Sequence, residues 1–324
     1  MSFVGERIRR FSPTASEDDM KITYFGNIKE CYPPTIDKQI LKELRNVAEV
    51  KFFDIKKFNM KRLIDEANKS DLFLFHGTFE VPDEITFMLM VERIQLILKN
   101  IKCKKALWLF DKVWTDYARL LVALLPYVDK AFLSDGTWIK RFRVEDIHHL
   151  PPAGTKFKGK KKKEYECDIA FMGKIYGQRK ALYEHLKDNF STKFKVFNNC
   201  FEKELASLCK SAKIIVAPDF PFDDFFWSER VYNVLANGGF LLHPRSYGLL
   251  EQGFEEGEHF VPYENERDIP KLVDLFLKSK KERDRIAKKG QELVLKNHTY
   301  KNRIQEILCQ MKKIKLNKSE SAKA

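Results

Sequence analysis

The chain has 324 residues, 44% of them hydrophobic and 32% charged, with a formal net charge of +13. That balance describes a globular protein of two domains of roughly 150 residues each. No apolar stretch approaches the ~18–20 residues that span a bilayer, and Met1 to Ser16 lacks the apolar core of a signal peptide, so a cytoplasmic location with no transmembrane segment is expected. The six cysteines are scattered without a C-x-x-C pair, which argues against a zinc site and against a disulfide framework. The positive charge is concentrated in Lys156 to Lys163 and in the tail beyond Lys312, and a basic surface attracts polyanions: nucleic acid, anionic lipid or a diphosphate.

Residues 1–19 are polar and read as a flexible N-terminus. Lys21 to Asn27 then reads as a strand ending in a glycine turn, followed by a helix over 36–47, a strand over 50–54 and a helix over 59–69. Asp71 to Gly77 is a buried strand, and a helix from 83 to 98 leads to a strand over 105–111. A helix through Leu120 to Leu125 and a strand over 130–135 follow; the chain turns at Trp138 to Phe142 and reaches His148-His149-Leu150-Pro151-Pro152. Alternation of this kind builds a parallel sheet. The lysine run interrupts it and reads as a solvated, mobile linker, since closely spaced ammonium groups repel one another. A second alternation begins at Cys167 to Gly173 and continues through a helix over 178–186, a strand over 193–197 and a helix over 202–210. The strand from Ala212, the helix before Gly238-Gly239 and the strand to Pro244 come next, then a strand over 259–261 and helices over 269–278, 282–296 and 300–314. The expected domains are therefore 20–154 and 166–300, with a linker over 155–165 and a C-terminal helix and tail over 301–324. No G-x-S-x-G, H-E-x-x-H or P-loop pattern occurs, which leaves hydrolase, metalloprotease and kinase chemistry without a foothold.

Open α/β sheets bind ligands at the carboxyl ends of their strands. In the first domain His76, Asp111 and Asp135 fall at such ends, and any of them suits a general base for an acceptor hydroxyl. In the second, Gly173 ends a strand and Arg179 opens the next helix, an arrangement that offers free N–H groups and a guanidinium to a phosphate. Gly248, between Tyr247 and Leu249, would let the backbone approach a diphosphate. Glu229 and Asn233 share a helix face and could accept hydrogen bonds from sugar hydroxyls. Asp219, Asp223 and Asp224 could hold Mg²⁺, but the aromatic loop with Phe220, Phe222, Phe225 and Phe226 reads as a sugar-facing wall, so no metal ligand is assigned.

The stretch Phe226-Trp227-Ser228-Glu229-Arg230-Val231-Tyr232-Asn233-Val234-Leu235-Ala236-Asn237-Gly238-Gly239-Phe240-Leu241-Leu242 resembles the C-terminal domain of GT-B glycosyltransferases, in the group-1 and spore-maturation CgeB-like branch. Arg230, Tyr232, Ala236 and Gly238 fit its pattern; Asn233 stands where a ribose-binding Glu is expected. Asp168 to Gly173 with Arg179, Leu125-Pro126-Tyr127-Val128-Asp129 through Pro151-Pro152, and His298-Thr299-Tyr300 with Arg303 are similar to further parts of the family, over roughly residues 105–310. The resemblance implies two tandem Rossmann-like domains around a cleft. It implies transfer of a sugar from a nucleotide-diphosphate sugar to a saccharide, protein or small-molecule hydroxyl, with no cofactor. Gly173, Arg179, Arg230 and Tyr247-Gly248-Leu249 would lie at the diphosphate, with Glu229 and Asn233 at the ribose; retention and metal independence are implied as well. The alternatives are a glycosyltransferase acting on DNA or other nucleic acid, and a non-catalytic sugar-nucleotide-binding module.

Overall fold

The computed structural model describes residues 20–28, 36–77, 83–111, 115–137, 139, 146–177, 179–190, 193–219 and 223–321. The expected flexible N-terminus, most of the expected turn from Trp138 to Phe142, and Phe220 and Phe222 lie outside the described residues.

The first sheet contains β1 (Lys21–Gly26), β2 (Glu49–Asp54), β3 (Leu72–Gly77), β4 (Lys104–Leu109), β5 (Lys130–Leu133) and β6 (Ile147–His149) in the order β2-β1-β3-β4-β5-β6, with all pairs parallel. Its crossovers include α1 (Ile36–Arg45), α2 (Met60–Ala67), α3 (Glu84–Asn100) and α4 (Thr115–Leu124). Burial on both faces explains why β3 is apolar without alternation: all six of its residues are buried. Short polar side chains start the helices. Asn59 accepts a hydrogen bond from Arg62 N and Asp83 from Thr86 N, satisfying amide groups that have no partner within the helix. Helix α4 begins at Thr115, earlier than expected.

The second sheet contains β7 (Cys167–Met172), β8 (Phe194–Phe197), β9 (Ala212–Val216), β10 (Leu241–Pro244) and β11 (Val261–Tyr263) in the order β11-β10-β9-β7-β8, again parallel. Its helices are α5 (Arg179–Phe190), α6 (Glu202–Ser211), α7 (Arg230–Ala236), the short α8 (Tyr247–Glu251), α9 (Ile269–Lys278) and α10 (Lys280–Asn297). Strand β11 forms two residues later than its apolar residues suggest. A turn occupies the expected start: Glu255 N donates to His259 Nδ1 at 2.9 Å, and Gly257, at φ +74°, donates to Phe260 O. The last helix, α11 (Tyr300–Ser321), returns to the first sheet, where Tyr300, Ile304, Ile307, Leu308 and Met311 join the core formed with Ile40, Leu44, Trp108 and Phe132.

The lysine-rich linker departs from the sequence expectation. It is docked along α7 and α6. Thr155 N donates to Asn233 Oδ1 (3.0 Å) and Phe157 N to Asn237 Oδ1 (2.9 Å), while Asn237 Nδ2 donates to Thr155 O (2.9 Å). Further on, Lys160 N donates to Ser207 Oγ (3.4 Å) and Lys162 N to Ser211 Oγ (3.0 Å). Gly159 is required for this seating, since a Cβ there would stand 2.6 Å from the backbone of Ala206 and Ser207. Repulsion among the ammonium groups does not free the segment because its backbone, not its side chains, makes the attachment.

Asn237→Ala removes the partners of Phe157 N and Thr155 O together. We expect a loss of about 2–3 kcal/mol in unfolding free energy, with faster amide exchange confined to residues 155–157. Denaturant titration and hydrogen–deuterium exchange check this; unchanged exchange at Phe157 would show that the clip does not hold the linker.

Candidate functional site

In the second sheet the chain leaves β7 toward β8 on one side and toward β9 on the other, so the carboxyl ends of β7 and β9 flank a crevice. Such a switch point is where open parallel sheets receive ligands. Gly173, the residue after β7, has φ +138° and donates its N–H to Phe197 O at 3.1 Å. A Cβ at this position would lie 2.8 Å from Arg230 Nη1 and 3.6 Å from Arg179 Nη1. The glycine thus admits two guanidinium groups, one from the start of α5 and one from the start of α7.

The two arginines are held differently. Arg230 Nη2 donates to Pro218 O (2.8 Å) and reaches Asp219 Oδ1 (3.4 Å), leaving Nη1 on the side of Gly173. Asp219 is itself buried: Ser228 N donates to Oδ1 and His243 Nε2 lies 2.7 Å from Oδ2. Burial disfavours the Asp219 charge, but His243 and then Arg230 outweigh it and hold this carboxyl well below the usual range. Arg179, by contrast, is 6% exposed, and among the described residues no carboxylate lies in salt-bridge range of it. Its Nε has no hydrogen-bond partner, and its guanidinium rests on the Tyr176 ring at 4.8 Å. Burial, with Arg230 adding repulsion, pushes its pKa down to about 10. A buried cation beside a second cation calls for an anion.

Of the expected site residues, Gly173, Arg179 and Arg230 therefore come together. The others are placed elsewhere. Glu229 is buried at the entry to α7, where Tyr300 donates to Oε1 at 2.8 Å and Asn233 adds a second hydrogen bond. Asn233 Oδ1 is taken by Thr155 N. Both side chains thus belong to the junction between the domains, and the expectation that they hold a ribose is corrected: their polar atoms face the linker and α11. The Tyr247-Gly248-Leu249 turn is corrected too. Gly248 N donates to Asp224 O (2.7 Å) and Leu249 N to Ser246 O, and a Cβ on Gly248 would strike Trp227 at 2.5 Å. This glycine serves packing, Leu249 is fully buried and Tyr247 is exposed.

Of the expected aromatic wall, Phe225 and Phe226 are described, and they pack into the protein with Trp227. Trp227 is 1% exposed and donates to Tyr232 Oη, and Phe226 is buried. Asp223 accepts from Thr137 Oγ1 (2.8 Å) and Phe225 N, and Gly136 N donates to Phe225 O (2.9 Å), so this loop bridges the two domains. His149, the last residue of β6, sits at this bridge with its ring 5.7 Å from Trp227; burial pushes its pKa down to about 4. Among the described residues no group of three or more metal-ligating side chains occurs.

In the first domain the switch point lies between β1 and β3. His76, at the end of β3, is 1% exposed, and its Nδ1 lies 3.0 Å from Asp37 Oδ1 while Nε2 is buried without a partner. Asp37, which the sequence reading missed, also accepts from Tyr24 Oη and Asn27 N. Its place in the first turn of α1 was the available signal. Asp135 is buried and accepts from Thr137 N; Asp111 is exposed with φ +103°, and its N–H faces Ser134 Oγ. The three expected catalytic residues thus sit at neighbouring strand ends with distinct surroundings.

The family described as Glycosyl transferase-like matches residues 162–309. Among solved structures, an alpha-glucosyltransferase in complex with UDP-glucose and DNA containing an abasic site is 10% identical with a TM-score of 0.64, covering 91% of this chain and 100% of that one. Anabaena HepE in complex with UDP and glucose is 9% identical, TM-score 0.65, with the same coverage. Sucrose-phosphate synthase from Thermosynechococcus elongatus is 10% identical, TM-score 0.56, covering 94% and 100%. The comparison with curated proteins found no match. The fold is GT-B: two Rossmann-like domains in tandem. No described helix is long and apolar enough to cross a membrane.

Burial, opposed by its hydrogen bonds to Tyr300 and Asn233, raises the Glu229 pKa from 4.5 to about 7. Between those values the folded protein binds more protons than the unfolded chain, so this group stabilises the fold in acid. The stabilisation fades as pH rises through about 7. Compared with Glu229→Gln, the wild type should lose up to about 3 kcal/mol between pH 5 and pH 8.5. Denaturant unfolding of both proteins across that range checks it; a constant difference would show that Glu229 is not held in this environment.

Proposed function

We propose that this protein is a glycosyltransferase that moves a sugar from a nucleotide-diphosphate sugar to an acceptor hydroxyl, with the diphosphate at Gly173, Arg179 and Arg230. The observation that carries the proposal is the pair of guanidiniums at the switch point of the second sheet, one of them buried with no carboxylate partner among the described residues. The family match over the same domain and the GT-B neighbours that hold UDP or UDP-glucose support a uridine diphosphate sugar as donor.

In this reading the bond between the sugar C1 and the diphosphate oxygen breaks, and its electron pair leaves with the nucleoside diphosphate. Arg179 and Arg230 stabilise the charge that develops there, and the buried Arg179 acts where fixed charges are least screened by water. The acceptor hydroxyl forms the new bond to C1, and its proton passes to the departing diphosphate oxygen. His76, Asp135 and Asp111, at the strand ends of the other domain, are the candidates to orient that hydroxyl. We extend the proposal to transfer with retention, which the family resemblance favours, and without a metal, since the two guanidiniums supply positive charge at the leaving group. Acceptors of the saccharide, protein or small-molecule kind come first. A nucleic-acid acceptor is the second reading, favoured by the DNA bound to one structural neighbour. The reading as a non-catalytic module leaned on Asn233, whose amide serves the linker here.

Arg179→Ala should weaken UDP binding by about 10- to 150-fold, the loss of a charge-assisted contact of ~1.5–3 kcal/mol. Because Arg179 leaves no carboxylate partner behind, the melting temperature without nucleotide should stay equal or rise. Calorimetric titration with UDP, paired with thermal melts, checks both. Wild-type affinity in the variant would remove the diphosphate from this site.

A further inference from the structure

The lysine run between the domains has no part in the donor chemistry, yet the fold gives it a definite shape. From Thr155 to Gly159 the residues alternate: Thr155, Phe157 and Gly159 turn toward the protein, while Lys156, Lys158 and Lys160 are exposed. The side chains of a strand-like segment repeat every two residues, at about 3.3 Å per residue. The three ammonium groups therefore leave the backbone at about 6.6 Å intervals on one line. Lys210 joins them, exposed on α6 with its Nζ 2.7 Å from Gly159 O. Farther along, Lys161 and Lys162 are matched by Glu166 (3.3 Å) and Glu164 (2.8 Å). Lys156, Lys158 and Lys160 have no such carboxylate among the described residues.

We infer that this row is a docking strip for the phosphodiester backbone of a nucleic acid. Two observations choose that partner over an anionic membrane. The row is a narrow line of single charges, which suits a linear polyanion. It also has no apolar component to insert, for among the described residues no large hydrophobic side chain is exposed between Val122 and Ile175. The backbone hydrogen bonds to Asn233, Asn237 and Ser207 have already ordered the strip, so binding does not have to immobilise a loose linker. The strip starts at the domain junction and runs to Ser211, beside the amino end of β9. It thus leads away from the carboxyl strand ends where the donor site lies, and the inference does not depend on the reading of that site.

Fluorescence anisotropy with a 20-base-pair duplex and a single strand of equal length, at 50 and 200 mM salt, tests the strip. Wild type should bind with a steep salt dependence. Replacing Lys156, Lys158 and Lys160 together by Ser should lower the duplex slope by about 0.9 per lost contact, so that about 40-fold less affinity is lost between the two salts. Gly159→Ala keeps every charge but collides with α6; it should leave the slope unchanged while reducing affinity at fixed salt by about fivefold or more. Absence of wild-type binding, an unaltered slope in the triple variant, or full affinity in Gly159→Ala would each overturn the inference. So would stronger binding to phosphatidylserine-containing vesicles than to either oligonucleotide. UDP titration of the same variants should match wild type, which keeps this outcome separate from that of the donor site.

Discussion

Asn233 and Asn237 hold the two sheets together through the backbone of the chain that connects them, and much of the structure's geometry follows from that clip. Their amides pair with Thr155 and Phe157, Asn233 passes the network on to Glu229, and Glu229 meets Tyr300 at the start of the returning helix. Arg303, one turn farther on, donates to Pro151 O and Pro152 O and lies over the Tyr232 ring. Asn233, Asn237, Glu229 and Arg303 enter the seam with partners in place, as groups buried between domains must. A network of this kind fixes where α7 begins, and hence where Arg230 stands relative to Gly173.

The pair of guanidiniums proposed to receive the diphosphate inherits its geometry from this rigidity. Two guanidiniums repel one another, and a flexible segment would let them part. Here Arg230 is tied to Pro218 O and Asp219, and Asp219 to His243 on β10, so the positive field stays aimed at the crevice in the absence of a ligand. That is preorganisation in the electrostatic sense: the cost of assembling like charges is met by folding rather than at the moment of reaction.

How much of this could be read from the residues depended on whether the signal was local. The βα alternation was legible because strands buried on both faces are apolar runs, as in Leu72 to Phe75, and because helix starts carry Asn59 or Asp83. Gly173, Arg179 and Arg230 were legible from a strand end, a helix start and a family resemblance. Asn233 and Gly248 were read as ligand contacts because their residue types suit sugars and phosphates. What decides their roles is the backbone of Thr155 and the ring of Trp227, neighbours that no local pattern reveals. The linker was misread for the same reason. Its charges are local and visible, while the hydroxyls of Ser207 and Ser211 that hold its backbone lie more than forty residues away in sequence. Asp37 escaped because a first-turn carboxylate is common, and its contact with His76 spans two strands.

The return of α11 to the first sheet has a consequence for biosynthesis. Domains of many chains fold in the order they emerge from the ribosome. Here the surface formed by Ile40, Leu44, Trp108 and Phe132 is covered by Tyr300, Ile304, Ile307 and Met311, which are translated only after the whole second domain. The amino-terminal half must therefore wait, with an apolar face open, while its neighbour is made. The last helix closes both units at once, so a nascent chain that stops short of Met311 leaves the earliest part of the protein as its unfinished part.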